Sequence, residues 1–210
     1  MVILGLTGSI AMGKSTAAAS FRRLGVPVYD ADSTVHALLA KGGAAVPRVA
    51  AAFPHTIRHG VIDRAALAAV VFADGDALKR LERILHPLVR ADAGRFLRRQ
   101  AARRARLVVL DIPLLFEDRG EGRCDAVAVV SAPAFLQAQR VLARPGMTLE
   151  RLAGIRRRQM PDREKRRRAD FVIESGLGKR HSLRRVGHIV RLLRARRGLN
   201  WPPRQRLKRG

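Results

Sequence analysis

The chain has 210 residues, 47% of them hydrophobic, which is enough to bury one full core. Its single cysteine excludes a framework of internal disulfides, and no apolar run reaches the ~18 residues of a membrane-spanning helix. The formal net charge of +25 favours the binding of polyanions. Because the first residues also lack the pattern of a cleavable leader, we expect a cytoplasmic protein with no membrane insertion.

Residues 2–16 predict a phosphate-binding loop between a strand and a helix. The apolar run 2–6 ends in the pattern G-x-x-x-x-G-K-[ST], and residues 16–24 are compatible with a helix. Glycines let successive N–H groups of such a loop face one concavity, and the helix adds its positive N-terminal end. Lys14 can then reach the β- and γ-phosphates, and the Ser15 hydroxyl can hold Mg²⁺. We expect a nucleoside triphosphate to contact Gly8, Ser9, Ile10, Ala11, Met12, Gly13, Lys14, Ser15 and Thr16.

The following segment predicts helices. Either Asp32 or Ser33 can cap a helix that follows a short strand, and Asp63 can cap another. A later helix should kink or break at Pro87, because proline lacks the amide donor that a helix interior needs. Residues 33–104 contain no convincing strand, so they predict a helical insertion between the strands of an α/β core.

Short apolar runs predict the remaining strands, at residues 26–29, 107–110, 126–130 and 171–173. Strands that alternate with helices, after a phosphate-binding loop, indicate a doubly wound parallel sheet flanked by helices. Ligands of such sheets lie at the carboxyl ends of the strands. At this edge the chain has the phosphate-binding loop, Asp30, Asp32 and Asp111.

These carboxylates suit phosphoryl transfer, which needs an acceptor hydroxyl oriented in line with the γ-phosphate. We expect Asp32, in preference to Asp30, to be the orienting base. The alternative is that both residues only cap the helix that follows. Asp111 ends a strand and can support Mg²⁺ through water, unless it is only a turn residue.

Basic residues are concentrated in two later segments. Eleven of the 29 residues in 140–168 are basic, which is typical of a mobile lid that closes over a triphosphate. Arg140 is the candidate for stabilising the charge of the transferring phosphoryl group, whereas most of the other arginines are expected to be solvated. Residues 199–210 have two prolines and four basic residues, and they predict a disordered tail.

Several motifs together resemble the dephospho-CoA kinase family. They are TGSIAMGKST at 7–16, YDAD at 29–32, VIDR at 61–64, HP at 86–87, DIPLLFE at 111–117 and ADFVI at 169–173. Their order and spacing are similar to those of the family over residues 2–193. The resemblance implies a P-loop kinase that uses ATP and Mg²⁺ to phosphorylate the ribose 3′-hydroxyl of dephospho-CoA, the last step of CoA synthesis.

The resemblance also implies a division of the chain. A single kinase domain, 1–198, would contain a nucleotide core (1–32, 105–140 and 169–198), a helical CoA-binding insert (33–104) and a lid (141–168). Asp32 would be the base, and Lys14 and Arg140 would stabilise charge. The implied substrate contacts are Asp32, Arg64, His86 and Leu114, and the implied metal contacts are Ser15 and Asp111. The expected partners are small molecules, with no specific nucleic acid, and the expected state is a monomer or weak homo-oligomer.

Two positions depart from the family's usual pattern. Ala11 stands where glycine is usual, so its backbone either has a negative φ or is strained. Glu174-Ser175 replaces the Asp-Asn pair that is often near the adenine site, which leaves the base-contacting residue open.

Three other functions fit parts of the sequence. A shikimate-type kinase shares the loop and the paired carboxylates but does not explain DIPLLFE or His86-Pro87. A nucleic-acid-binding NTPase fits the charge, but the chain has one Trp and one Tyr for base stacking. A structural protein with a degenerate loop conflicts with the intact Gly13-Lys14-Ser15.

Overall fold

The computed structural model describes residues 1–58 and 60–202. The chain divides into two compact units, Met1–Tyr29 with Arg99–Gly210 and, between them in sequence, Asp30–Arg98. We call the first the sheet unit and the second the helical unit.

One five-stranded sheet is the centre of the sheet unit. Its strands are β1 (Val2–Thr7), β2 (Val28–Asp30), β5 (Leu107–Asp111), β6 (Ala126–Ser131) and β7 (Phe171–Glu174), in the spatial order β2-β5-β1-β6-β7. The central strand β1 pairs in parallel with β5 and β6, and β7 pairs in parallel with β6. The chain therefore leaves β1 towards both edges of the sheet, which confirms the prediction of a doubly wound parallel sheet.

The register brings the carboxyl ends of four strands to one edge. Leu6 of β1 lies opposite Asp111 of β5, and Thr7 lies opposite Val129 of β6. Ser131, the last residue of β6, lies opposite Glu174, the last residue of β7. Whatever follows β1, β5, β6 and β7 therefore meets at the edge where the phosphate-binding loop begins.

Helices cover the sheet because consecutive residues of its strands are apolar, so that both faces of the sheet are apolar. The helices of the sheet unit are α1 (Lys14–Arg23), α6 (Ala134–Leu142), α7 (Leu149–Arg158), α8 (Asp162–Arg168) and α9 (Lys179–Arg194). Leu4 and Leu6 pack in one cluster with Phe21 of α1 and with Ile189 and Leu193 of α9. Burial of that cluster is the main apolar contribution to the stability of the unit.

The loop after β5 packs in a second cluster. Leu115 and Phe116 of DIPLLFE are buried with Val127 and Val129 of β6, and Cys124 packs against them. Burial raises the pKa of the Cys124 thiol to about 12. Cys124 is therefore an inert thiol of this cluster at neutral pH.

Two aspartates accept backbone N–H groups near the beginnings of β1 and β6. The carboxylate of Asp125 accepts the Ile3 N–H of β1 at 2.7 Å, and that of Asp170 accepts the Val127 N–H of β6 at 2.7 Å. Leu199 and Asn200, which we expected in the disordered tail, donate their backbone N–H groups to Asp125 at 2.6 and 2.9 Å. Most of that predicted tail, residues 203–210, lies outside the described residues.

The helical unit has its own core. Its elements are α2 (Ala31–Leu39), α3 (Val46–Ala52), β3 (Ile57–Arg58), β4 (Val61–Ile62), α4 (Arg64–Ala73) and most of α5 (Gly75–Ala102). Buried side chains from every helix form one cluster, which includes Leu39, Val49, Leu67, Leu81 and Leu85. None of the helices in 1–58 and 60–202 has both the length and the apolar character needed to span a bilayer.

Three details of this unit differ from the sequence predictions. Residues 57–62 form a small antiparallel hairpin, which two-residue strands are too short to reveal as a pattern. Helix α5 does not break at Pro87, one of the two outcomes expected there, because Leu81 and Leu85 hold the preceding turns in the core. The cap of α2 is Asp30, whose carboxylate accepts the Ser33 N–H at 2.9 Å, so neither Asp32 nor Ser33 has that role.

The predicted cap at Asp63 is confirmed. Its carboxylate accepts the N–H groups of Ala65 and Ala66, both at 3.0 Å, and lies 2.9 Å from Arg58 Nε. The hydrogen bond from Ala66 is the largest cause that holds the pKa of Asp63 below its ordinary value of 3.8. A lowered pKa means that ionised Asp63 stabilises the fold above pH 3.8, and that this contribution is lost as the pH falls through the folded-state value.

We therefore expect Asp63→Ala to lower the melting temperature at pH 7 and Asp63→Asn to lower it less, since asparagine keeps the cap acceptor. The difference between wild type and Asp63→Asn should shrink when the pH falls below 3.8. Asp76→Asn is the matched control, because Asp76 forms an exposed ion pair with Lys79 and such pairs contribute little to stability. A melting-temperature series from pH 3 to pH 7 tests this, and a difference that does not change with pH would refute the assigned cause.

Candidate active site

The phosphate-binding loop connects the end of β1 to the beginning of α1, as predicted. Gly13 has a φ of 90° and is the N-cap residue of α1, so the loop turns directly into the helix at Lys14. Gly8 is fixed by packing, because a Cβ there would lie 2.7 Å from the Val130 carbonyl oxygen. The positive end of α1 therefore follows a loop that only glycine can form at these two positions.

Lys14 and Asp111 form an ion pair at this edge of the sheet. The Lys14 Nζ lies 2.5 Å from Asp111 Oδ1, and the two side chains are 16% and 4% exposed. The neighbouring β1 and β5 place these residues together, because both follow or end a strand at the same edge. The ammonium group is therefore held at the mouth of the loop by a nearly buried carboxylate.

Ala11 has a φ of 57°. Of the two alternatives that the sequence left open, a negative φ or a strained backbone, the second is therefore correct. An alanine in the left-handed region is strained by roughly 1–2 kcal/mol, since its Cβ approaches the backbone. The loop keeps a conformation that glycine would adopt without this cost. Neighbouring side chains must therefore hold it.

Arg140 lies against the loop and the residue after β7. Its guanidinium donates to the Ser175 Oγ at 2.9 Å, to the Ser175 carbonyl at 3.0 Å and to the Ala11 carbonyl at 3.4 Å. Ser175 in turn donates its hydroxyl to the Met12 carbonyl at 2.6 Å. The departure at Glu174-Ser175 thus creates a contact between this loop and the end of β7.

Sequence reasoning missed Gln137, and it gave Gln159 no role in the site. The Gln137 amide donates to the Ile10 carbonyl at 3.0 Å, and the Gln159 side chain accepts the Ile10 N–H at 3.1 Å. Arg156 donates to the Gln137 side-chain oxygen at 2.7 and 3.0 Å. The available signal was that Gln137 is three residues before Arg140, and therefore on the same face of α6.

The arginine-rich segment adjoins the loop. A cavity of about 340 Å³ lies between them, and its lining residues come from both. They include Ser9, Met12, Gln137, Arg156, Gln159 and Asp162. Segment 137–162 and the phosphate-binding loop thus line the same cavity.

Helix α8 contacts the segment that follows β5 and the end of β6. Glu117 of DIPLLFE accepts the Met160 N–H at 2.9 Å and lies 2.8 Å from the Nζ of Lys165, whose side chain is fully buried. The Ser131 hydroxyl at the end of β6 donates to Asp162 at 2.7 Å. The arginine-rich segment is therefore fixed at its C-terminal end, where Glu117 had no predicted role.

The other predicted residues lie elsewhere. Leu114 is in the turn that follows β5, in the sheet unit, whereas Asp32, Arg64 and His86 belong to the helical unit. Asp32 is exposed in the first turn of α2, and its carboxylate has no hydrogen bond or ion pair within the described part of the chain. Arg64 contacts a residue that the sequence did not reveal, with its Nη2 2.8 Å from His36 Nε2.

A parallel sheet with a glycine-rich loop after its central strand, a lysine at the beginning of the next helix and an adjacent strand-end carboxylate is the arrangement of the P-loop nucleotide-binding proteins, the class that includes the P-loop kinases. The family model for CoaE, dephospho-CoA kinase, matches residues 2–178. The chain therefore belongs to the dephospho-CoA kinase family, whose members catalyse the final step of CoA biosynthesis.

Individual relatives agree with this assignment. A dephospho-CoA kinase of Paramagnetospirillum magneticum is 70% identical over 79% of this chain and 78% of its own length. One of Mesorhizobium japonicum is 57% identical over 94% of this chain and 100% of its own length. The crystal structure of TT1252 from Thermus thermophilus has a TM-score of 0.78 and 41% identity, and covers 91% of this chain and 96% of that one. The two curated relatives support the family assignment, and the TT1252 structure has a similar fold.

The strain at Ala11 predicts that Ala11→Gly raises the free energy of unfolding. Relief of the left-handed strain exceeds the extra flexibility that glycine gives to the unfolded chain, so we expect a gain of about 0.5–1 kcal/mol. Ala19→Gly is the matched control, because Ala19 is exposed within α1, where glycine destabilises by about 0.5–1 kcal/mol. Chemical denaturation of both variants measures the two changes, and changes of the same sign would contradict the strain.

Proposed function

We propose that the chain transfers the γ-phosphoryl group of ATP to the ribose 3′-hydroxyl of dephospho-CoA, giving CoA and ADP. The carrying observation is the Lys14–Asp111 pair beside the phosphate-binding loop, in a chain of the dephospho-CoA kinase family. Direct assay of ATP consumption with dephospho-CoA tests the proposal. Parallel reactions with shikimate or with nucleic acid in place of dephospho-CoA should give no turnover. Turnover with one of these substitutes and none with dephospho-CoA would contradict the proposed function.

The triphosphate would be bound by residues 8–16. Backbone N–H groups of the loop and of the first turn of α1 would face the phosphate oxygens, where the helix end favours negative charge. Lys14 would contact the β- and γ-phosphates, and Arg140 would stabilise charge on the transferring group. Support for the role of Arg140 is its contact with the Ala11 carbonyl, which brings the guanidinium to the rim of the loop.

The residues present fit Mg²⁺. Ser15 offers an exposed hydroxyl beside Lys14, and Asp111 offers a carboxylate at the same edge of the sheet. Mg²⁺ that is bound with a nucleotide needs few protein ligands, since phosphate oxygens and waters supply the others. When bound, it would neutralise negative charge on the β- and γ-phosphates.

Asp32 would orient the acceptor hydroxyl and take its proton. Support comes from the YDAD motif and from the different surroundings of its two carboxylates. Asp30 is occupied as the cap of α2, whereas the Asp32 carboxylate is exposed and unengaged among residues 1–58 and 60–202. A base must reach the substrate, and only the second carboxylate is available for that.

The remaining assignments follow from the family pattern. The insert at 33–104, with Arg64 and His86, would bind the CoA side of the acceptor. Leu114 would be a further substrate contact, and segment 141–168 would close as a lid. We propose small-molecule partners only, a monomer or weak homo-oligomer, and a cytoplasmic location. The net charge would bind nucleic acid without sequence preference and in a salt-sensitive manner.

Lys14→Ala should lower kcat by about 10²–10³, the usual loss for one transition-state charge contact of ~3–4 kcal/mol. The variant also takes the Lys14 ammonium away from the nearly buried Asp111 carboxylate, which lowers stability. The double variant Lys14→Ala/Asp111→Asn also removes the negative charge of that carboxylate, so it should regain melting temperature without regaining turnover. Steady-state kinetics with thermal melts separate the two effects, and turnover close to wild type in a folded Lys14→Ala would refute this role.

Asp32→Asn should lower kcat far more than it changes either KM, because orientation of a hydroxyl matters mainly in the transition state. Asp30→Asn is the matched control, since asparagine still accepts the Ser33 N–H that Asp30 caps. Initial rates over both substrate concentrations give the comparison. If Asp30→Asn had the larger effect on kcat, the base would be assigned wrongly.

A further inference from the structure

The phosphate-binding loop is held from outside at three consecutive carbonyl groups. The carbonyl of Ile10 accepts from the Gln137 amide at 3.0 Å, and that of Met12 accepts from the Ser175 hydroxyl at 2.6 Å. Between them, the Ala11 carbonyl accepts from Arg140 at 3.4 Å. All the donors lie far away in sequence, on α6 or directly after β7.

These hydrogen bonds fix the direction in which the loop can bind an anion. In a concave loop, successive N–H groups converge on the anion only if the intervening carbonyls point the other way. Each outward carbonyl here meets a side-chain donor that is itself held in place. Gln137 is 4% exposed and accepts a hydrogen bond from Arg156, and Ser175 accepts one from Arg140.

The need for such support follows from Ala11. An alanine at a φ of 57° tends to relax towards negative φ, which would rotate the adjoining peptides and turn their N–H groups out of the concavity. Gln137 holds the peptide before this residue, Arg140 contacts the carbonyl of the peptide after it, and Ser175 holds the next peptide, between Met12 and Gly13. A glycine at the same position would have no such tendency.

We propose that Gln137 and Ser175 are positioning residues that compensate for alanine at position 11 and thereby set the affinity for the triphosphate. They act through the backbone of the loop and do not touch the reacting atoms. The inference rests on the proposed function, because it takes ATP as the ligand of the loop. It assigns to the α6 face and to the turn after β7 a role in ATP affinity.

The effect should fall on binding and spare the chemical step. A preformed loop contacts the phosphates both in the bound substrate and in the transition state, so its loss raises KM with little change in kcat. We expect Gln137→Met and Ser175→Ala each to raise the KM and the dissociation constant of ATP by about tenfold, the usual scale for one lost hydrogen bond in a closed site. The KM of dephospho-CoA should stay unchanged.

The controls are matched in position and in chemistry. Gln139→Met changes an exposed glutamine on α6 and should leave the dissociation constant of ATP unchanged. Ser175→Thr keeps the hydroxyl donor and should restore most of the affinity that Ser175→Ala loses. Melting temperatures confirm that each variant is folded, because a loss of folded enzyme would lower the apparent kcat and leave both KM values unchanged.

The deciding experiment is a double-mutant cycle with Ala11→Gly, measured by calorimetric titration of ATP. Gln137→Met should weaken ATP binding by about tenfold with Ala11 present, and by less than about threefold with glycine there, because glycine keeps the left-handed conformation unaided. Equal losses in both backgrounds would overturn the compensation. Unchanged ATP affinity in Gln137→Met, or a lower kcat at unchanged KM, would overturn the positioning role. If wild type itself bound no ATP, the proposed function would fail first.

Discussion

The backbone between Gly8 and Lys14 can bind an anion only while its N–H groups converge and its carbonyl groups face outward. Much of the sheet unit serves this constraint. The packing of Gly8 on the Val130 carbonyl fixes the beginning of the loop, and Gly13 fixes its end as the cap of α1. Between these points, donors from α6 and from the end of β7 hold the carbonyls. The parallel sheet matters because it brings the ends of β1, β5, β6 and β7 to the same edge.

Features that depend on short stretches of sequence could be predicted. The phosphate-binding loop, the doubly wound sheet, the cap at Asp63 and the resemblance to dephospho-CoA kinases all rest on neighbouring residues or on simple periodicity. The contacts that shape the loop could not be predicted in this way, because Gln137 is 127 residues from Ile10 and Ser175 is 163 residues from Met12. Only the departure at position 11 signalled that such support was needed.

The wrong details of the helical unit have a common cause, since tertiary packing overrode local preference. Pro87 forfeits one hydrogen bond of α5, but the buried leucines before it keep the helix continuous. The hairpin of β3 and β4 exists because Ile57 and Ile62 are opposite each other and pack against the core of the unit. Asp30 caps α2 because the helix begins two residues earlier than its apolar pattern indicates.

The chain has only six lysines among its 42 basic residues, and two of them are Lys14 and the fully buried Lys165. Almost all of its positive charge is therefore guanidinium, which stays protonated and is a poor nucleophile at physiological pH. Acylating agents, which modify free amines, can remove little of the +25 charge. Lys165 is shielded from them by packing against Glu117, so the anchor of α8 is chemically protected. The electrostatic attraction of this protein for phosphates is thus resistant to a modification that would neutralise a lysine-rich surface.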